Sequence, residues 1–276
     1  MIFSDLDGTL LDHGTYDWSP AGPALAALAA RAIPVVLCSS KTRAEMRVLA
    51  SAMRLDSPLI IENGGGVWLP PSWADHLPAA AVPVDDGWMV VLGERAETLR
   101  QALAAVGGAV HARLRGFGEM DVVEVAERTG LPIETAALAV RREFSEPFVA
   151  DRDVAVHELD AAARHHGLQV TRGGRFFHLI GPSDKGRAVR VVSGWLGART
   201  VGTTLGFGDA PNDLPLLQAV DTPVIVPRPD GTPHPDLVAA LPFARVAPAP
   251  GPAGWNAVVL DWLGGATPRP GEARPA

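Results

Sequence analysis

Asp5 and Asp7 flank one leucine in the run Phe3-Ser4-Asp5-Leu6-Asp7-Gly8-Thr9-Leu10, a spacing that suits paired carboxylate chemistry. If the chain stays extended through Leu6, both acids project to one side, because side chains in a strand alternate with period two. One carboxylate can then attack phosphorus while the other protonates the departing oxygen and later deprotonates a water. Gly8 permits a tight turn immediately afterwards. Much later, Asp209, Asn212 and Asp213 follow the apolar run Leu205–Gly208. Acidic groups gathered at one sheet edge repel one another unless a cation lies between them. Hard oxygen ligands without thiolates favour Mg²⁺. A phosphoryl group held there also needs donors, and Ser39, Lys41 and Lys185 supply a hydroxyl and two ammonium groups. Lys41 and Lys185 are the only lysines among 24 basic residues, so arginine serves every generic cationic position. A slim point charge fits a small-anion pocket where a guanidinium does not.

These residues require elements that end at a common edge. Met1–Ser4, Ile33–Cys38 and Leu59–Ile61 read as short buried strands. Ser19-Pro20 reads as a cap and first helical position, opening a helix to about Ala32. Thr42 with Glu45 is a capping box for a helix to about Met53. This β-α-β-α-β alternation predicts an α/β fold with a doubly wound parallel sheet. In such sheets ligands bind outside the carboxyl ends of the strands, where Asp5, Asp7, Ser39, Lys41, Glu62, Asn63 and Asp209 all fall. Between about Val82 and Ile180 the pattern changes to amphipathic segments, Ala96–Val106 and Val154–His165 among them. The core pattern then resumes with a helix over about Asp184–Trp195, a strand to Gly208, a helix after Asn212, the strand Val224–Val226 and a helix over about Pro252–Leu263. The expected division is therefore 1–82 and 181–264 for the core, 83–180 for an inserted smaller α/β domain, and 265–276 for a disordered tail.

Composition narrows the classes. The single cysteine, Cys38, excludes an intramolecular disulfide framework and reads as a buried strand residue. A net charge of −7 argues against a nucleic-acid partner, and no apolar run reaches the roughly 20 residues of a membrane span. The N-terminus lacks a signal-peptide pattern, so a cytoplasmic location and a small-molecule partner are expected. Gly206-Phe207-Gly208 lacks the third glycine of a dinucleotide fingerprint. Gly64-Gly65-Gly66 reads as a turn into Val67-Trp68-Leu69. His178 reads as a packed strand residue, and His165-His166 as partners of a helix C-terminus.

Taken in order, Asp5-Leu6-Asp7-Gly8-Thr9, Ser39, Lys185 and Gly208-Asp209-Ala210-Pro211-Asn212-Asp213 resemble the four motifs of the haloacid dehalogenase phosphatase superfamily. Cys38–Thr42, Glu62–Gly66, Arg142–Phe148 and Gly173–His178 further resemble mannosyl-3-phosphoglycerate phosphatases, a likeness spanning roughly residues 1 to 264. The resemblance implies a mixed α/β cap between the second and third motifs. It implies a nucleophile and metal ligand at Asp5, an acid/base at Asp7, and phosphoryl contacts from Ser39 and Lys185. The Mg²⁺ ligands would be completed by the Asp7 carbonyl and Asp209, with Asp213 ordering the shell. Hydrolysis of mannosyl-3-phosphoglycerate to mannosylglycerate, a compatible solute, is the implied reaction; a glucosyl-3-phosphoglycerate or other sugar phosphate is the alternative. A phospho-accepting signalling module also gathers aspartates, a hydroxyl and a lysine, but it lacks an acid/base two residues after the acceptor. Lys41 is a candidate for the glycerate carboxylate or phosphate, Glu62 and Asn63 for sugar hydroxyls, and Arg175 for an anion clamp from the cap. Thr42, Arg43 and Asn212 complete the candidate substrate contacts.

Overall fold

The computed structural model describes residues 1–173, 176–197 and 203–265, and the expected tail over 265–276 falls, beyond Gly265, outside the described residues. The chain divides into two compact units, residues 1–35 with 203 onward, and residues 36–202.

In the first unit the strands Ile2–Ser4, Leu205–Gly208, Thr222–Ile225 and Arg245–Val246 pair in parallel, in the order 245–246, 222–225, 205–208, 2–4. The register sets Ser4 beside Phe207. Helices lie on opposite faces, as adjacent strand residues show. A Cβ on Gly206 would meet Val220 and Leu216, from the helix Leu214–Gln218 and the turn after it. Phe207, on the other face, packs on Trp255 of the helix Gly251–Gly265. The helix Gly22–Ala29 lies along that last helix, where the Asn256 side-chain carbonyl accepts from the Ala24 N–H at 2.9 Å. Its start differs from expectation: Ser19–Ala21 form a 3-10 turn, and Ser19 donates its N–H and hydroxyl to the Asp17 carboxylate. Ser19 is therefore not the cap: its hydroxyl is spent on Asp17, and neither the 3-10 turn nor the helix after it has a side-chain cap. The helix also ends early, at Ala29, with Ala32 in a left-handed conformation.

In the second unit Val35–Cys38 pairs in parallel with Leu59–Ile61 through the helix Arg43–Ala52. The strand begins at Val35 rather than Ile33, since Pro34 has no N–H for a ladder. After Ile61 the pairing turns antiparallel through Gly66–Leu69, Gly87–Val91 and Val82–Val84, a meander that apolar content alone did not announce. A separate antiparallel sheet runs in the order Leu114–Gly116, Ser145–Ala150, Phe176–Ile180, Gln169–Gly173. Phe148 and Leu179 face the helices Ala96–Ala109 and Val156–Arg164. Val149 and Phe176, on the opposite face, pack with Val125 and Ala136 of the helices Val122–Thr129 and Ile133–Ala139. The α/β class with a separate smaller α/β layer set is therefore as expected. No helix among the described residues is long and apolar enough to cross a membrane.

Candidate functional site

The first strand stops at Ser4, and the carboxylate pair follows on a closed turn. The Asp5 N–H donates to the Phe207 carbonyl at 3.0 Å, which fixes it against the neighbouring strand. The Leu6 carbonyl then accepts from the N–H groups of Thr9 and Leu11, at 3.1 and 2.7 Å, and the Gly8 N–H donates to the Leu11 carbonyl at 3.0 Å. The expected extended passage through Leu6 is thus corrected: burial of Leu6 and these bonds fold the chain, and the turn sets the spacing of Asp5 and Asp7. Gly8 has φ 78°, and a Cβ there would lie 2.6 Å from Asp209 Oδ2. Only glycine serves both the backbone and the approach of that carboxylate.

Asp209 follows the strand Leu205–Gly208 and is met by the Thr9 hydroxyl, which donates to its Oδ1 at 3.3 Å. Asp213 is fully buried, and its Oδ2 accepts from the N–H groups of Asp209 and Ala210 at 3.1 Å each. Carboxylate oxygens of Asp5, Asp209 and Asp213 lie within 4.8 Å of one another. Three hard anionic donors this close, two of them no more than 6% exposed, suit a divalent cation of the oxygen-preferring kind. Asp7 is half-buried and outside this trio. Asn212 is exposed in the 3-10 turn Pro211–Asp213.

The second unit brings Ser39, Asn63 and Lys185 together. The Asn63 N–H donates to the Ser39 carbonyl at 2.9 Å. Gly64, at φ 90°, lies so close to the start of the helix Lys185–Gly197 that a Cβ would fall 2.2 Å from the Asp184 carbonyl and 3.0 Å from Lys185 N. Lys185 is 1% exposed, a depth at which lysine is rarely found unless it is paired. Ser39 is buried, and its Oγ accepts from the Lys41 N–H at 3.2 Å, an arrangement that leaves the hydroxyl hydrogen as a donor. Lys41 itself is half-buried.

Other expected substrate contacts are engaged inside this unit. Thr42 and Glu45 form the anticipated capping box, and the Thr42 hydroxyl also lies 3.0 Å from the Leu138 carbonyl. Arg43 pairs with Glu143 at 2.8 Å and Asp86 at 2.5 Å. The Glu62 carboxylate is turned inward, accepting from the N–H of Glu143, the N–H of Phe144 and the hydroxyl of Ser145. Burial pushes its carboxyl above the ordinary range, while Arg142 and these donors pull the other way. For Thr42, Arg43 and Glu62, internal hydrogen bonds therefore replace the expected display to a ligand. Arg175 lies outside the described residues. Sequence reasoning missed the grip of Thr9 on Asp209 and the role of Glu62 as an anchor. A buried acid immediately before Asn-Gly-Gly-Gly was the available signal for the latter.

The haloacid dehalogenase-like hydrolase family model matches residues 2–74, which include Asp5, Asp7 and Ser39. The glucosyl-3-phosphoglycerate/mannosyl-3-phosphoglycerate phosphatase of Methanococcoides burtonii is 38% identical over 272 residues, covering 96% of this chain and 97% of that protein. Its counterpart of the same name from Persephonella marina is 34% identical, covering 93% and 94%. Among solved structures, a haloacid dehalogenase-like hydrolase from Bacteroides thetaiotaomicron aligns with a TM-score of 0.65 at 16% identity, over 95% of this chain and 98% of that one. That likeness carries the fold.

Proposed function

The chain belongs to the glucosyl-3-phosphoglycerate/mannosyl-3-phosphoglycerate phosphatase family of the haloacid dehalogenase-like hydrolases, and from that premise we propose that it is a Mg²⁺-dependent phosphatase of mannosyl-3-phosphoglycerate. The observation that carries the catalytic part is the cluster of Asp5, Asp209 and Asp213 beside the turn that holds Asp7. The two relatives, matched over nearly their whole lengths, support the substrate class. Their names carry both sugars, so glucosyl-3-phosphoglycerate is the second reading.

In the reaction, Asp5 Oδ attacks phosphorus and the bond from phosphorus to the glycerate oxygen breaks. Asp7 delivers a proton to that departing oxygen, and mannosylglycerate leaves. Asp7, now ionised, takes a proton from water, which attacks the aspartyl-phosphate and releases inorganic phosphate and free Asp5. Mg²⁺ held by the Asp5 and Asp209 carboxylates and the Asp7 carbonyl, with Asp213 ordering the shell, would offset the phosphoryl charge. Ser39 and Lys185 are assigned as phosphoryl donors, with Lys41, Asn63, Asn212 and Arg175 as contacts to the remainder of the substrate. Residues 83–180 are assigned as the insertion between core segments 1–82 and 181–264; its strand Gly87–Val91 still pairs with Gly66–Leu69, and the separate sheet of the cap runs from Leu114 to Ile180. A cytoplasmic place in compatible-solute synthesis completes the reading.

Phosphate release measured with mannosyl- and glucosyl-3-phosphoglycerate and simple sugar phosphates, with Mg²⁺ or with chelator, tests this directly. The expected result is preference for the mannosyl substrate, loss of turnover with chelator, and no turnover by Asp5→Asn. Near-wild-type turnover by Asp5→Asn would sink the mechanism, and equal rates on all sugar phosphates would sink the substrate.

A further inference from the structure

Three successive carbonyls of the Ser39 loop are each held from within the second unit. The Ser39 carbonyl accepts from the Asn63 N–H at 2.9 Å and the Lys41 carbonyl from the Glu62 N–H at 3.1 Å. The Ser40 carbonyl between them accepts from Arg142 Nη1 at 2.6 Å. Glu62 and Asn63 donate from left-handed backbone, with φ of 49° and 58°. Such a conformation is sparsely populated by residues other than glycine and persists only where its surroundings fix it.

The surroundings are explicit. The Glu62 carboxylate, on a residue 1% exposed, accepts from Glu143 N at 2.8 Å, Phe144 N at 3.1 Å and Ser145 Oγ at 2.5 Å. Arg142 is held in turn by the Ala139 carbonyl, to which its Nε donates at 2.9 Å. The segment 142–145 therefore grips both sides of the loop, one directly and one through Glu62. This matters electrostatically, since a carbonyl lone pair directed at an anion repels it. With all three carbonyls bonded to protein donors, the loop keeps its Ser39 hydroxyl for donation, the hydroxyl oxygen already accepting from Lys41 N–H.

We propose that Arg142 and Glu62 are positioning residues that act through Ser39, making the segment 142–145 a brace for the phosphoryl-binding loop. The inference rests on the reading of Ser39 as a phosphoryl donor. Neither residue touches substrate; each fixes where the hydroxyl points.

The test pairs Arg142→Lys and Glu62→Gln, each alone and combined with Ser39→Ala, and reads kcat, KM and amide hydrogen exchange. Each single substitution is expected to lower kcat about tenfold with a smaller change in KM, because a donor to the transition state is misplaced. Combined with Ser39→Ala, neither should slow the enzyme further, since both act through the same hydroxyl. Multiplying rather than overlapping losses would overturn the proposal. Exchange supplies a readout that needs no substrate: the Lys41, Glu62 and Asn63 amides should exchange at least tenfold faster, with the helix Gly251–Gly265 unchanged. Wild-type exchange at those three amides would overturn the brace whatever the turnover. Absence of phosphate release by the wild type across the substrate panel, with exchange still responding, would sink the proposed function and leave the brace standing. Glu62→Gln conserves volume, so the comparison survives if Arg142→Lys folds poorly.

Discussion

His178 shows how one buried side chain writes itself into the pH dependence of the protein. It lies in the strand Phe176–Ile180, 8% exposed, and burial followed by the nearby Arg142 charge lowers its pKa to about 3. Above its ordinary value of 6.5 the ring is neutral whether the chain is folded or not. As pH falls from 6.5 toward 3, the unfolded chain takes up a proton that the folded one refuses, so stability from this group declines by up to about 1.4 kcal/mol per pH unit. Glu62 and Glu146, both raised first by burial, work in the opposite sense above their ordinary value, because the folded chain then binds the extra proton. Comparison of the wild type with His178→Gln isolates the histidine, since the two acids are common to both. Urea denaturation at steps from pH 7 to pH 4 should show the wild type losing stability more steeply than the variant; parallel curves would refute the assignment.

At the scale of elements, the helix Arg43–Ala52 carries a cap that does two tasks. Thr42 Oγ1 accepts from the Glu45 N–H at 3.1 Å, and the Glu45 carboxylate accepts from the Thr42 N–H at 2.9 Å. The same hydroxyl lies 3.0 Å from the Leu138 carbonyl, so the cap also meets the helix Ile133–Ala139. Thr42→Ala should cost about 1 kcal/mol from the cap alone, and Thr42→Ser much less. In a chain of this size that corresponds to a fall of about 2–4 °C in Tm for the alanine variant. Equal melting of the serine and alanine variants would show that the hydroxyl does not carry the effect. This helix was legible in the sequence because its signal is local: a Thr, a Glu three residues on, and an apolar period. The meander over 66–91 was not, because short apolar runs do not declare which neighbour they pair with. Glu62 was misread for a related reason, its carboxylate being satisfied by residues 81 to 83 positions away.

For the whole molecule, the acidic trio predicts a linkage between metal and stability. Asp5 comes from the start of the chain and Asp209 and Asp213 from two hundred residues later, so an ion bound there ties distant segments of one unit. Mg²⁺ at a hundredfold excess over its Kd should stabilise the folded chain by about 2.7 kcal/mol. Thermal melts with Mg²⁺ and with chelator should therefore differ by several degrees in the wild type and hardly at all in Asp209→Asn. An undiminished shift in that variant would place the ion elsewhere. The net charge of −7 gives no overall field that would draw in an anion, so attraction of one requires local positive charge. By itself the sequence determined the chemistry available: Asp5-Leu6-Asp7, Ser39, Lys41 and Asp209 are readable as residue types just after strands, and Lys185 as one at a helix start. It determined the α/β class as well, because the periodicity of strands and helices is a local property. Only the tertiary structure decided which of these groups converge and which polar side chains are already spent. That Gly8 makes room for Asp209 and that Glu62 anchors residues 143–145 both depend on close approaches and hydrogen bonds between distant parts of the chain, and those are fixed by packing rather than by neighbouring letters.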